Sequence, residues 1–298
     1  MEQLDPQLEL FVTHRQLKLM SWNVNGIRAL EKKGFSDWLQ GAGADIVMLQ
    51  ETKCSPEQLS SSLCKPDGFH AEWCAAEKKG YSGVATFSRI PMTTSRGLGD
   101  PLFDHEGRVL ITTIPIDTSP PHATPNDSAP PSEMSASNPR SPSFLTLFNI
   151  YFPSGSSGPA RVEFKLAFYR RFLEIVGGYI ARGERVVVAG DVNTAYAEID
   201  LARPRENRMT SGFMPEERAA LGEFFAAGLV DTFRHVRPAE AKYSWWSQRT
   251  PARAGNIGWR LDYFFISENL LPYVVDADIH SDVLGSDHCP VSLTLALG

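Results

Sequence analysis

The stretch Val186-Val187-Val188-Ala189-Gly190-Asp191-Val192-Asn193 contains the pattern that decides the fold. A run of β-branched and other apolar residues leads directly into a carboxylate and an amide. Such a run favours a buried strand, and the polar residues stand where that strand ends. The pattern therefore predicts a sheet that carries polar groups at its edge.

Four further stretches place polar groups beside an apolar run in the same way: Trp22-Asn23-Val24-Asn25-Gly26, Leu49-Gln50-Glu51-Thr52-Lys53, Arg260-Leu261-Asp262-Tyr263 and Gly285-Ser286-Asp287-His288. Any one of them also fits a turn, because Asp and Asn bond readily to the backbone that follows them. Side chains at several strand ends can instead converge in a cleft at one edge of a sheet. A hard cation and a hydrolytic water bind in such places, so the recurrence favours a cleft.

Composition indicates a folded protein whose overall charge does not attract anions, although a local basic groove can. The chain has 298 residues, 42% of them hydrophobic, and a net charge of −6, which is close to globular averages. The negative charge argues against coating nucleic acid by bulk charge, but it allows a basic groove around an acidic, metal-filled centre. No apolar run is long enough to span a bilayer, and the mixed start does not resemble a signal peptide.

The cysteines have no spacing typical of a metal site, and we expect reduced thiols; they are Cys54, Cys64, Cys74 and Cys289. Many strands, few helices and one shared set of polar residues favour a two-sheet sandwich covered by helices. We expect a single domain at residues 17–298 after a loose extension at 1–16. The Pro- and Ser-rich segment 117–143 lacks core residues, which predicts a disordered insertion.

Strands are predicted near residues 18–24, 45–51, 70–77, 83–89, 108–116, 144–152, 185–193, 243–247, 260–267, 274–281 and 291–297. Helices are predicted near 35–42, 162–177 and 214–228. The last of these begins with a proline and two acidic residues and stops before a glycine, which are typical helix-terminal signals.

The motifs together resemble the exonuclease III family of apurinic/apyrimidinic (AP) endonucleases, within the endonuclease/exonuclease/phosphatase superfamily. The resemblance rests on strings that extend over nearly the whole chain: Ser21-Trp22-Asn23-Val24-Asn25-Gly26-Ile27-Arg28, Leu49-Gln50-Glu51-Thr52-Lys53-Cys54, Gly80-Tyr81-Ser82-Gly83-Val84, Glu106-Gly107-Arg108-Val109, Asn149-Ile150-Tyr151-Phe152-Pro153, Gly190-Asp191-Val192-Asn193, Gly258-Trp259-Arg260-Leu261-Asp262-Tyr263-Phe264 and Leu284-Gly285-Ser286-Asp287-His288-Cys289-Pro290. It implies an α/β fold, a four-layered sandwich of two packed mixed β-sheets flanked by helices.

The resemblance also implies the catalytic roles. Asp191 would orient and deprotonate the attacking water, and Asn193 would hold that water or the phosphate. His288, polarised by Asp262, would contact the scissile phosphate. Tyr151 would hydrogen-bond the phosphate or help stabilise the leaving group. These residue types suit the chemistry, because phosphodiester hydrolysis needs a positioned base and donors for the charge that develops on oxygen.

The implied metal ligands are mostly oxygen donors, as Mg²⁺ prefers, with Mn²⁺ as a substitute; they are Asn25, Glu51, Asp191, Asn193, Asp287 and His288. Some family members have Asp where this chain has Asn25, so one charge is missing here. The implied DNA-binding residues are Asn23 on a phosphate oxygen, Arg28, Lys53, Tyr81 and Arg108 on the backbone, and Trp245, Trp259 and Leu261 around an abasic sugar.

The implied activity is Mg²⁺-dependent hydrolysis of the phosphodiester 5′ to an abasic site in duplex DNA. Cleaning of blocked 3′ ends, as a 3′→5′ exonuclease and a 3′-phosphatase, would accompany it. We expect a monomer with no membrane partner, cytoplasmic in a prokaryote or nuclear in a eukaryote. Two alternatives stay open, namely a related phosphatase or phosphodiesterase with a non-DNA substrate, and a catalytically silent DNA-binding relative.

Overall fold

The computed structural model describes residues 16–116 and 143–297. The predicted extension at 1–16 lies outside the described residues except for Gln16, and the predicted insertion at 117–143 lies outside them except for Ser143. Placing Ser143 in the insertion was wrong, because it begins a strand and is the register partner of Ile116.

Within the described residues the chain forms 14 strands and seven α-helices. The strands are β1 (Leu17–Asn23), β2 (Ile46–Gln50), β3 (His70–Cys74), β4 (Val84–Ser88), β5 (Thr93–Arg96), β6 (Val109–Ile116), β7 (Ser143–Tyr151), β8 (Arg185–Asp191), β9 (Leu229–Asp231), β10 (Trp245–Trp246), β11 (Gly258–Trp259), β12 (Asp262–Ser267), β13 (Val274–Ile279) and β14 (Val291–Leu295). The helices are α1 (Ile27–Glu31), α2 (Phe35–Gly41), α3 (Ser61–Cys64), α4 (Pro101–Asp104), α5 (Pro159–Ala181), α6 (Pro215–Ala226) and α7 (Thr232–Val236). Short 3₁₀ helices cover Pro56–Gln58, Glu198–Asp200 and Glu268–Tyr273.

Two six-stranded sheets contain most of the strands, in the orders β13-β14-β1-β2-β4-β3 and β5-β6-β7-β8-β12-β9. Both sheets are mixed. In the first, β1 is parallel to β2 and antiparallel to β14. In the second, β7 is parallel to β8 and antiparallel to β6. The C-terminal strands β13 and β14 complete the first sheet, so both ends of the described chain build it.

The sheets pack face to face, and helices cover their outer faces. Along β8, Val187 and Ala189 point into the core between the sheets. Val186 and Val188 point the other way, into a cluster with the apolar faces of α5 and α6. Side chains of a strand alternate in this way, and burial on both faces explains why β8 is a continuous apolar run. Helices α1 and α2 cover the first sheet in the same manner, which confirms the predicted four-layered sandwich.

The predicted elements differ from the observed ones mainly where a segment is short or exposed. Strand β5 is mostly exposed and polar, so it lacks the apolar alternation that identifies a strand in sequence. Strand β9 has only three residues, and α1, α3, α4 and α7 have four or five each. Periodicity cannot be recognised over such lengths. Among the described helices, none is long and apolar enough to cross a membrane.

Candidate active site

Three neighbouring strands of the second sheet bring polar side chains to one edge. Tyr151 at the end of β7 is the register partner of Asp191 at the end of β8. Asp191 is in turn the register partner of Asp262 at the start of β12. Register partners point to the same face of a sheet, so the three side chains form a row.

The first sheet contributes Asn23 and Glu51 to the same place. The Asn23 amide nitrogen donates to Glu51 Oε1 at 2.9 Å and to Asp191 Oδ2 at 2.8 Å, which joins the two sheets. The predicted contact of Asn23 with a phosphate oxygen is therefore wrong, because its side chain is fully buried and both amide hydrogens are used. Asn23 instead sets the spacing between the two carboxylates.

Asp191 is buried and held from several sides. Asn193 donates its backbone N–H to Asp191 Oδ1 at 2.8 Å and its side-chain N–H to Asp191 Oδ2 at 3.2 Å. Burial raises the pKa of Asp191 to about 7; the charge of His288 opposes this shift, and the Asp262 and Glu51 carboxylates add to it. A carboxyl group with a pKa near neutrality is well suited to act as a general base.

His288 lies between two carboxylates. Its Nδ1 is 2.8 Å from Asp262 Oδ2, and its Nε2 is 3.8 Å from Asp191 Oδ2. Burial alone would lower the pKa of His288, but the Asp262 and Asp191 carboxylates raise it to about 10. The imidazole therefore carries a proton at neutral pH and can donate to an anion.

Tyr151 offers a neutral hydroxyl. Burial, with the Glu51 and Asp191 carboxylates, raises the pKa of Tyr151 well above its usual value. The Arg108 guanidinium lies 4.5 Å from the centre of the Tyr151 ring and donates to the Tyr151 carbonyl oxygen at 2.9 Å.

The predicted contact of Arg108 with the DNA backbone is wrong, because this side chain is 2% exposed and is paired with Glu106. Tyr81 accepts a hydrogen bond from Arg108 and stays at the partly exposed side of this network.

The ammonium group of Lys53 lies beside Glu51, among side-chain oxygen atoms. The Lys53 ammonium is 2.8 Å from Glu51 Oε2 and also donates to Asn25 Oδ1. Asn25 donates its amide N–H to Asp287 Oδ1 at 2.8 Å. A carboxylate and an amide oxygen that already face a cation fit a hard divalent metal. Lys53 thus fills the space between two predicted ligands, and its predicted contact with the DNA backbone stays a prediction.

A second set of donor atoms overlaps this one. One ligand atom each from Glu51, Asp191 and His288 lie within 4.8 Å of one another. A protonated imidazole has no lone pair to offer a metal, and the carboxylates around His288 keep it protonated. The predicted ligand role of His288 is therefore the weaker one, and Glu51 with Asn25 and Asp287 is the better oxygen set.

A cavity of about 510 Å³ opens over these groups. Its lining includes the polar Asp191 and His288 together with a wall of Trp245, Trp259 and Leu261, and the centre of the Trp245 ring lies 6.4 Å from that of the His288 ring. The Trp245 and Trp259 ring centres lie 6.4 Å apart, nearly at right angles. Arg260, between the last two wall residues in sequence, points away and is buried against Asp200 and Asp231. A wider cavity of about 580 Å³ adjoins this one, but it lacks the convergent carboxylates, so we place the site in the first.

The backbone is strained at this edge. Asn25, Glu51 and Asn193 have φ angles of 46°, 52° and 56°, values that non-glycine residues rarely adopt. Such strain persists only where the surrounding contacts enforce it, and it clusters at functional sites. Here it turns the side chains that follow β1, β2 and β8 toward one another.

Sequence reasoning missed residues that support the site from behind. The Ser244 hydroxyl donates to Asp262 Oδ2 at 2.6 Å, and Arg161 pairs with Glu106 in the network around Tyr151. Lys165 and Glu217 form a fully buried ion pair near Asn193. Ser244, Arg161, Lys165 and Glu217 do not stand at a strand end with an apolar run before it. Only Glu217 belongs to a sequence pattern, as one of the two acidic residues in the first turn of a predicted helix.

Comparison with known proteins gives one consistent result. Residues 20–288 match the endonuclease/exonuclease/phosphatase family. The chain is 39% identical over 282 residues to the exodeoxyribonuclease of Bacillus subtilis (strain 168). The aligned part covers 94% of this chain and 99% of that protein. It is 36% identical over 285 residues to the DNA repair nuclease APEX1 of Danio rerio, covering 94% of this chain and 83% of that protein.

The fold agrees with these matches. The crystal structure of the AP endonuclease LMAP from Leishmania major superposes with a TM-score of 0.79 at 30% sequence identity. The aligned part covers 94% of this chain and 88% of that one. The similarity thus extends over nearly the whole chain.

Proposed function

The chain belongs to the endonuclease/exonuclease/phosphatase family, in its branch of exodeoxyribonucleases and AP endonucleases, and on this basis we propose that it hydrolyses the phosphodiester 5′ to abasic sites in duplex DNA. We further propose that it acts as a monomer and also removes 3′-terminal nucleotides and 3′-phosphates. The observation that supports this best is that Glu51, Asp191, Tyr151 and His288 line one cavity together with Trp245, Trp259 and Leu261.

Two parts of the site suit a damaged DNA strand. The wall of Trp245, Trp259 and Leu261 consists mainly of apolar side-chain surface, which suits a deoxyribose without a base. Such a sugar leaves the duplex more easily than a paired nucleotide, which must be unstacked. On the other side of Glu51, a concave surface is lined by Arg28, Lys32 and Lys53, whose charges attract the phosphates of a strand.

The residues divide the chemistry among them. Asp191 accepts the proton of the attacking water, and Asn193 holds Asp191 in place. His288 donates to a non-bridging oxygen of the phosphate, with Asp262 keeping it charged. Tyr151 donates its hydroxyl to the phosphate or to the leaving oxygen. Mg²⁺, or Mn²⁺ in its place, held by Glu51 and Asn25 with Asp287, would offset the negative charge that builds up on these oxygens.

An incision assay tests this function. A duplex with one abasic analogue is incubated with the protein, with Mg²⁺ and with EDTA, and the product ends are mapped. We expect a nick 5′ to the abasic residue that leaves a 3′-hydroxyl, and no nick with EDTA. Undamaged duplex should compete for the enzyme. Hydrolysis of simple phosphoesters without cleavage of any DNA would instead indicate a relative with a non-DNA substrate.

The pKa shifts of Asp191 and His288 predict the pH dependence of incision. The base works only when deprotonated, so the rate should rise as pH passes about 7, the pKa of Asp191. The imidazolium donor is lost only above its pKa of about 10. Single-turnover rates at constant ionic strength and metal concentration give the profile. Asp262→Asn should move the alkaline limb to lower pH, and a rate that stays constant through neutrality in the wild type would contradict the assignment.

The aromatic wall should decide selectivity. We expect Trp259→Ala and Trp245→Ala to weaken discrimination, so that paired 3′ termini are degraded faster relative to abasic incision. The reason is that a wider cavity accepts a sugar that still carries its base. The measurement is the ratio of the two rates on matched duplexes, with a melting curve in parallel. Equal falls in both rates, together with a lower melting temperature, would mean that the rings only support the core.

A further inference from the structure

A fully buried ion pair lies behind the cavity and takes no part in the chemistry described above. Lys165 in α5 and Glu217 in α6 are each 0% exposed, and Lys165 Nζ is 2.7 Å from Glu217 Oε1. Lys and Glu are rarely buried to this degree. A buried ion pair is often no more stabilising than apolar residues of similar size, so stability alone does not explain its presence.

Lys165 acts on the segment that holds Asp191. Its ammonium donates to the Asn193 main-chain oxygen at 2.7 Å. Asn193 has the left-handed backbone described above, and its N–H groups hold both oxygens of Asp191. The bond from Lys165 therefore holds the main-chain carbonyl of Asn193, the residue whose N–H groups orient the Asp191 carboxylate.

Glu217 acts on a neighbouring segment that also lines the cavity. Its Oε1 accepts from the Ser211 hydroxyl at 2.9 Å, and its Oε2 accepts from the backbone N–H groups of Gly212 and Met214. Ser211 and Gly212 line the cavity. A Cβ atom on Gly212 would lie 3.2 Å from the Asn193 oxygen and 3.4 Å from the Trp259 ring, so this segment is packed directly between the two.

We propose that Lys165 and Glu217 are positioning residues, a clamp that holds Asn193 and the Ser211–Gly212 edge in fixed relation. This rests on the proposed function, because the clamp sets the distance from the Asp191 base to the wall that seats the abasic sugar. Neither residue touches the substrate. A displacement of about 1 Å at a reacting group can cost a factor of about 10² in rate, so such a clamp has a measurable effect on catalysis.

The test is the double variant Lys165→Met with Glu217→Gln. It removes both charges together, and the side-chain amide oxygen of the replacement for Glu217 can still accept from Gly212 and Met214. Because neutral replacement of a buried pair is often tolerated, we expect a melting temperature close to that of the wild type. The dissociation constant for abasic duplex should also be nearly unchanged. The single-turnover incision rate at saturating metal should fall by a factor of about 10 to 100.

The matched control is Lys242→Met with Asp278→Asn, which removes another ion pair, 2.6 Å long, whose members do not line the cavity. It should leave the single-turnover rate unchanged. A wild-type rate in the Lys165/Glu217 variant, or a loss that only follows the unfolded fraction, would overturn the clamp.

If the double variant does not fold, Glu217→Asp alone decides. This change keeps both charges of the buried pair but shortens the side chain that reaches the Ser211–Gly212 edge, and we expect a fall of about threefold to tenfold in single-turnover rate at unchanged DNA affinity. An unchanged rate would overturn the clamp here as well. A wild-type protein that fails to nick abasic DNA would overturn the proposed function itself, and the clamp with it.

Discussion

Asp191→Asn should lower the incision rate by a factor of about 10² or more, because it removes the group placed to take the proton of the attacking water. The carboxylate is 1% exposed and is oriented by hydrogen bonds from Asn23 and Asn193. These two amides come from the two different sheets, so the position of the base depends on both. The measurement is a single-turnover rate on abasic duplex at saturating metal.

The substitution also disturbs the hydrogen bonds around position 191. The effect of this on stability must be separated from the loss of the base. The amide nitrogen introduced at position 191 is a hydrogen-bond donor, and it would face the side-chain amide nitrogens of Asn23 and Asn193, which are donors as well. Donors that face one another without an acceptor cost about 1–3 kcal/mol. The melting temperature should therefore fall somewhat. Binding of abasic duplex should persist, since removal of a negative charge does not repel phosphate. Near-wild-type turnover in the folded variant would rule out Asp191 as the base.

Glu51→Ala should also reduce incision by a factor of about 10² or more at ordinary Mg²⁺ concentrations. Glu51 is one of the two carboxylates in the oxygen set, and it is the one that pairs with the Lys53 ammonium. Because Asn25 contributes no charge, loss of Glu51 leaves Asp287 as the only charged ligand of that set. We expect the metal concentration for half-maximal rate to rise steeply, and high Mg²⁺ or Mn²⁺ to restore part of the rate.

The matched control is Glu72→Ala, which removes a carboxylate that is paired with Arg96 on the exposed edge of the first sheet. It should change neither the rate nor the metal dependence. An unchanged metal requirement in Glu51→Ala would show that Glu51 is not a ligand and that the metal depends on other residues of the set, such as Asp287. The same titration therefore tests the ligand set as well as the residue.

The fold was predictable because its main strands can be recognised locally. Buried strands such as β8 and β12 are continuous apolar runs, and each run is joined to a polar group where the strand ends or begins. Local composition also distinguishes residues 117–142 from the strands before and after them, although it placed Ser143 on the wrong side of the boundary. The short or exposed elements carry no such signal, and these were the ones that the sequence did not indicate.

The sequence alone determined which residue types gather at the strand ends, and hence that a carboxylate, an imidazole and a phenol would be available together. The tertiary structure decided how they are used. Asn23 was predicted to meet phosphate but joins two carboxylates, and Arg108 was predicted to meet DNA but is buried against Tyr151. Both residues belong to the sequence motifs that carry the resemblance. The direction in which each side chain points depends on packing, which the motifs do not specify.

The clamp of Lys165 and Glu217 is the clearest case of information that only the tertiary structure contains. Each residue stands within an ordinary helix, where a charged residue is normally solvated. The two meet because α5 and α6 cover the same face of one sheet. Contacts between residues distant in the chain depend on burial and on the register of packed elements, and local sequence specifies neither. Local pattern therefore fixed the elements and the chemistry they offer, while packing fixed the distances on which that chemistry depends.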